Sequence, residues 1–351
     1  MLIIDSHLDL SMSALDMNRD LTLPVEAIRS AEAGMKGKSR GMNTVSLPDM
    51  RRGDVGLCLA TVIARANPSG TESIDFRNQS LAYATAQGQL AYYRSLERQG
   101  HLRMLRDWSA IDKHVTAWND GQPGVPIGYI FAMEGGDPIE YPEQVADWYG
   151  QGLRVVGPAH YGPSAYAYGT GSSGGLKPAG RELIQIMRSL GMILDVTHLA
   201  EESFWEALEL FDGPVLASHN NCRALVPGDR QFSDDQIRAL IVRDAVIGVA
   251  FDTWMLIPDW VEGATPHEAV TLENVVDQID HICQVAGNTR HASIGSDLDG
   301  GFGTEQSPHG LDTIADLQSI PGLLAARGYV DADIQAIMHG NWLRLFQNAL
   351  G

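Results

Sequence analysis

Ile3-Ile4-Asp5-Ser6-His7-Leu8-Asp9 begins two residues into the chain and decides how the rest is read. On an extended strand, side chains two apart share a face, so His7 and Asp9 can address one ion. The arrangement recurs further on. Glu134 closes the apolar run Ile127–Met133, His198 closes Met192–Thr197, and His219 closes Val215–Ser218. A lone histidine at a strand end is usually a hydrogen-bonded structural or surface group. Several strand ends that each deliver an imidazole or a carboxylate instead describe a hydrolytic metal centre. His101, His114, His267, His281, His291, His309 and His339 lie on helical or loop patterns and are read as structural.

The runs that carry these donors belong to a longer rhythm. Leu2–Ile4, Val55–Ile63, Pro126–Met133, Leu153–Val156, Met192–Val196, Pro214–Ala217, Ala245–Phe251 and Ala292–Gly295 are short and apolar, with helical patterns between them. Strand then helix, eight times, predicts a parallel (β/α)8 barrel. Leu183, Ile184, Met187 and Leu190 follow helical spacing and stop at Gly191; Val275, Val276, Ile279, Ile282 and Ala286 stop at Gly287. Ser233-Asp-Asp-Gln236 reads as a capping box. Two insertions, residues 10–54 and 161–178, follow strand C-terminal ends, the barrel face where active sites sit. The second is rich in Gly, Ser and Tyr and is either a mobile lid or a solvated loop.

Composition narrows the chemistry. A barrel can occupy all 351 residues, so residues 1–351 are read as one domain. A formal charge of −19, from 44 acidic against 25 basic residues, repels phosphate backbones and anionic lipid, which argues against nucleic-acid and membrane-surface partners. The first residues show no basic region followed by a long apolar one, and no run approaches the roughly 18 apolar residues of a spanning helix. The expectation is a cytoplasmic protein acting on a small molecule, with the oligomeric state, a homodimer included, left open. Cys58, Cys222 and Cys283 are too scattered for a disulfide framework or a CxxC zinc site and are read as reduced thiols.

Imidazole and carboxylate suit zinc, and a catalytic zinc ion takes about three protein ligands while keeping one position open. His7, Asp9, Glu134, His198 and His219 are too many for one open site. They suit two Zn2+ ions sharing a bridging carboxylate and hydroxide. Glu134, alone at its strand end beside Gly135 and Gly136, is the bridge; Lys36, Lys38, Lys113 and Lys177, the candidates for a carbamate bridge, do not sit at strand ends.

Along nearly its whole length the chain resembles the membrane (renal-type) dipeptidase family, peptidase family M19 of the amidohydrolase superfamily. The resemblance is carried by Asp5-Ser-His7-Leu-Asp9-Leu10, Glu134-Gly-Gly136, Asp195-Val-Thr-His198-Leu199 with Phe204-Trp205, Ala217-Ser-His219-Asn-Asn-Cys-Arg223, Arg230 in Gly-Asp-Arg-Gln, Gly295-Ser-Asp297-Leu-Asp-Gly300 and Gly340-Asn-Trp-Leu-Arg-Leu-Phe346. It implies a zinc-dependent TIM barrel of the metal-dependent hydrolase type that cleaves dipeptides by attack of a metal-bridging hydroxide. It places His7, Asp9 and Glu134 on one zinc and Glu134, His198 and His219 on the other. It also assigns His160 to the scissile carbonyl oxygen, Arg230 to the substrate's terminal carboxylate, and Asp297 to proton transfer. Asp299, two residues on, could face the same side and is the competing aspartate, but it is read as part of the turn that supports the site. The chain departs from the family's pattern around His160, where Gly-Pro-Ala-His160-Tyr-Gly-Pro-Ser replaces Leu-Thr-His and an Asn-rich stretch, and at Asn-Asn-Cys-Arg223, which replaces Ser-Asn-Ala-Arg. These changes bear on selectivity more than on hydrolysis. The rival expectations are an amidohydrolase for N-acyl amino acids and, from another class, a non-catalytic ligand-binding barrel.

Overall fold

The computed structural model describes residues 1–351. A strand overlaps each of the eight apolar runs: β1 (Ile3–Leu8), β2 (Val55–Ile63), β3 (Ile127–Glu134), β4 (Leu153–Gly157), β5 (Ile193–Asp195), β6 (Val215–Leu216), β7 (Ile247–Val249) and β8 (Ala292–Ile294). A parallel ladder runs without interruption from β1 to β6, while β7 and β8 pair with each other. Ile4 lies opposite Leu57, Leu57 opposite Gly128, Ala132 opposite Val155, Val155 opposite Ile193, and Leu194 opposite Val215.

The curled sheet is joined at two seams by contacts sparser than a ladder. At the first, Ala217 N donates to Val246 O (3.0 Å) and Gly248 N to Ala217 O (2.8 Å). At the second, Asp297 N donates to His7 O (3.3 Å), and Ser6 Oγ lies 3.0 Å from Ile294 O. Ser6 Oγ is also 2.5 Å from Ser218 O, so one buried hydroxyl links three strand ends. This close approach requires glycine. A Cβ on Gly295 would stand 1.8 Å from Ser218 O, and one on Gly248 would stand 2.2 Å from it.

One end of the barrel is packed shut. Ile4, Leu57, Ile130, Val155, Ile193 and Leu216, one from each of β1 to β6, form a buried cluster with Trp342 and Phe346 of the terminal helix Asn341–Leu350. Trp342 Nε1 donates to Ile294 O (3.0 Å), and Asn341 Nδ2 reaches Ala292 O (2.9 Å), pinning that helix beneath β8. The Gly-Asn-Trp-Leu-Arg-Leu-Phe motif is therefore a plug, and chemistry is left to the opposite, C-terminal end.

The helical expectations have clear counterparts. Leu272–Ala286 ends at Gly287 with φ 67°, Pro178–Ser189 is followed by Gly191 with φ 67°, and Ser233 forms a capping box with Gln236. Residues 10–54 hold three short helices, Leu10–Asp16, Val25–Ala31 and Leu47–Arg52. A short additional strand, Leu102–Met104, pairs with β3, and the two-residue strands Arg65–Ala66 and Asp75–Phe76 pair beyond the end of β2. No helix is long and apolar enough to cross a membrane.

Candidate metal centre

His7 and Asp9 leave the end of β1, and Glu134 ends β3. His198 and Asp297 each lie three residues past their strands, in turns where φ is 66° and 59°. Left-handed backbone at residues other than glycine is uncommon and clusters at functional sites. It lets the chain leave β5 and β8 early and turn these side chains back over the barrel mouth. His219 sits three residues after β6, buried beside them.

The donors form two groups that share Glu134. His7 Nε2 lies 3.5 Å from Glu134 Oε2, 3.6 Å from Asp9 and 3.7 Å from Asp297. That nitrogen is buried and has no hydrogen-bond partner. On the other side, His198 Nε2 and His219 Nε2 each lie 3.2 Å from Glu134 Oε1 and 3.1 Å from one another. The two oxygens of one carboxylate thus meet histidine nitrogens on both sides, with the His7 and His219 rings themselves in contact, centroids 3.7 Å apart.

The chemistry of this set fits divalent metal. His198 Nδ1 contacts Thr170 Oγ1 (3.1 Å) and His219 Nδ1 contacts Ser218 Oγ (2.9 Å). If both imidazoles spend Nδ1–H on these hydroxyls, two bare Nε2 lone pairs face each other and a carboxylate. In a buried site that arrangement is repulsive until a cation lies among them. The Thr61 hydroxyl holds Asp9, and Asp5 accepts from His7 N (3.2 Å) and Ser296 N (2.9 Å), fixing the backbone that carries His7.

The protonation of the metal-free cluster shows the same frustration. Burial pushes His7 down, but the charges of Glu134 and then Asp9 prevail and hold it well above its ordinary value. Burial alone would raise Glu134; the His7 charge, then that of His160, brings it well below. Asp297 is raised well above the usual range by burial, against the pull of His7 and with the repulsion of Glu134 and Asp9. His198 and His219 are held well below the ordinary value, first by burial and then by Arg230 and His7 respectively.

These donors open into a cavity of about 500 Å3 lined also by His160, Tyr161, Arg230, Arg65, Asp252 and Trp254. His160 follows β4; its Nε2 is 3.7 Å from Glu134 Oε1, and burial brings it down to about 4, so it is neutral at ordinary pH. Arg230 is buried, donating to Asn220 Oδ1 (2.7 Å) and His219 O (2.8 Å). Asp299, the rival to Asp297, turns away. Its oxygens accept from Thr44 N (2.8 Å) and Val45 N (3.0 Å) and face Arg19 at 3.7 Å, so it ties the 10–54 insertion to the strand 8 turn.

All eight site residues anticipated from sequence thus meet at one mouth. Thr170, Ser218 and Thr61, which orient the donors, escaped that reading because hydroxyl residues carry no positional pattern of their own. The 161–178 insertion supplies Thr170 and is anchored beneath by Asp137, which accepts from Ala165 N (2.7 Å) and from Ala66 N (2.8 Å).

Comparison with known proteins agrees with this architecture. The family model described as membrane dipeptidase (peptidase family M19) matches residues 1–350. An uncharacterised protein of Klebsiella pneumoniae is 32% identical over 212 residues, 57% of this chain and 74% of its own. An uncharacterised dipeptidase of Schizosaccharomyces pombe is 30% identical over 59% of this chain and 49% of its own, and Dipeptidase tcpJ of Claviceps purpurea is 30% identical over 56% and 44%. The chain thus spans about half the length of the latter two relatives. Among solved structures, a Rhodobacter sphaeroides metallopeptidase liganded with a phosphinate mimic of L-Ala-D-Ala superposes with a TM-score of 0.80 at 23% identity, covering 99% of both chains. The metallopeptidase dipeptidase AC of family M19 superposes at 0.82 and 23% identity, over 100% of this chain and 99% of that one. These likenesses establish the barrel fold.

Proposed function

Since the chain belongs to the membrane dipeptidase family, peptidase family M19, we propose that it is a zinc-dependent dipeptidase whose single site is served by the whole of residues 1–351. The observation that carries the proposal is the division of the donors about Glu134, with His7 at 3.5 Å on one oxygen and His198 and His219 at 3.2 Å on the other. His7, Asp9 and Glu134 would hold one ion and Glu134, His198 and His219 the second. Two such ions would lower the pKa of a water between them to make hydroxide available near neutral pH, and would polarise the substrate carbonyl.

The remaining steps fall to the protein's own groups. Arg230 presents a planar fork to the substrate's terminal carboxylate, with two of its donors already anchored to Asn220 and His219. Its fixed position measures the distance from that carboxylate to the donors and so restricts substrate length. His160, neutral and only partly exposed at the cavity wall, offers a ring N–H to the scissile carbonyl oxygen as negative charge develops there, a contact worth more in a site shielded from water. Asp297 takes the proton from the attacking water and passes it to the leaving amine. The products are two amino acids, and L,L- and L,D-dipeptides are the proposed substrates.

N-acyl amino acids carry the same terminal carboxylate and are the comparison class. Hydrolysis of a panel of dipeptides, their C-terminal amides and N-acetyl amino acids by zinc-loaded protein tests the proposal. Free dipeptides are expected to turn over fastest; preferential hydrolysis of N-acetyl amino acids would replace it.

A further inference from the structure

The cavity holds a second guanidinium for which the proposed dipeptide chemistry has no use. Arg65 lies two residues past the end of β2, and Arg230 follows β6. In a ring of eight strands the second and the sixth are opposed, so the two arginines stand on opposite sides of the mouth with the metal donors between them. His160, after β4, sits midway round the ring.

Arg65 is held by one edge only. Its Nε donates to Asp75 Oδ1 (2.8 Å), while neither of its terminal amino groups hydrogen-bonds to the protein. Its side chain is only 12% exposed, and the residue lines the cavity with Ile63 and Ile74. Asp75 is engaged elsewhere as well: it accepts from Asn67 Nδ2 (3.3 Å) and Glu72 N (3.0 Å). Glu72, the other carboxylate on this wall, is on the exposed rim. Asp137 fixes the segment by accepting from Ala66 N (2.8 Å), so the guanidinium is positioned before any ligand arrives. The ion pair with the buried Asp75 holds one edge of the guanidinium and leaves its two terminal amino groups directed to the cavity, a bidentate edge that suits a carboxylate.

We infer that Arg65 selects dipeptides whose N-terminal residue carries an acidic side chain. The inference rests on the dipeptidase reading, in which Arg230 takes the terminal carboxylate; the opposite side of the mouth then receives the N-terminal residue. An aspartate or glutamate side chain there completes the open edge of Arg65, while its neutral amide analogue does so without charge.

The test compares kcat/KM for L-Glu-L-Ala, its neutral isostere L-Gln-L-Ala, and L-Ala-L-Glu, with zinc-loaded protein. A charge-assisted pair predicts that Glu-Ala exceeds Gln-Ala by about ten- to hundredfold, with Ala-Glu not sharing that advantage. Arg65→Met should bring the Glu-Ala to Gln-Ala ratio near one, and Arg65→Lys should retain part of it. Asp75→Asn, which removes the protein anion but keeps the cation, should preserve the preference. So should Lys38→Met, which removes an exposed cation of the same cavity. A wild-type ratio near one overturns the inference, as does a preference that survives Arg65→Met or disappears equally with Lys38→Met. Absence of turnover on all three substrates would overturn the dipeptidase reading itself, a different result from turnover without preference.

Discussion

Asp297 and Asp299 are two residues apart, and only one of them is available to move a proton. Asp299 is consumed by Thr44, Val45 and Arg19, whereas Asp297 faces His7 at 3.7 Å across the cavity. Asp297→Asn should therefore lower kcat by roughly 10²–10⁴-fold, the usual weight of a general acid–base group, while zinc content is retained. Asp299→Asn should instead lower stability by about 1–3 kcal/mol, through donors left facing an amide, with kcat largely kept. Denaturation curves and metal analysis of the two variants separate these effects; loss of kcat in the Asp299 variant alone would reverse the assignment. Arg230→Met should cost about ten- to hundredfold in kcat/KM for dipeptides and little for their C-terminal amides, since only the former carry the anion it meets. Equal loss on both would make Arg230 structural, holding Asn220 and the His219 carbonyl in place.

Strand ends were legible because a β-strand is a local object, and an apolar run stopping at a ligand type needs no knowledge of its neighbours. The seams were not, since they depend on which strands meet. Ser6, Gly248 and Gly295 have meaning only once Ser218 O stands against all three. The short helices of residues 10–54 span six or seven residues each, too few for a 3.6-residue period to emerge. Thr170 was hidden for a related reason, because its insertion becomes part of the site only after folding brings it against His198. The seam makes a prediction at this scale. Gly295→Ala drives a methyl into Ser218 O and should destabilise the fold by about 1–3 kcal/mol or more, measured by chemical denaturation of metal-free protein. An unchanged midpoint would mean that β8 can shift away from β6 without cost.

Across the whole molecule, the barrel floor is sealed by Trp342 and Phe346 and the mouth is left with donors that frustrate one another. Loading with metal is therefore coupled to proton release and to stability. His7 is held well above its ordinary value by the charges of Glu134 and Asp9, so a cation that takes its ring nitrogen must displace a proton. Calorimetric titration in buffers of differing ionisation enthalpy should report net proton release on metal binding, and weaker binding as pH falls. The depressed values of His198 and His219 add a stability effect of known sign. Between those lowered values and about 6.5 the unfolded chain binds more protons than the folded one, so their contribution is present above about 6.5 and is lost as pH falls through this window. His7 acts oppositely, contributing stability below about 6.5 that is lost as pH rises through its raised folded value. The central claim, that Glu134 divides a binuclear catalytic centre, is tested most directly by titrating the metal-free chain with zinc while following hydrolysis of a neutral dipeptide. Activity should be absent at the start and reach its plateau at about two equivalents; full activity without metal, or a plateau at one equivalent with a second ion adding nothing, would contradict it.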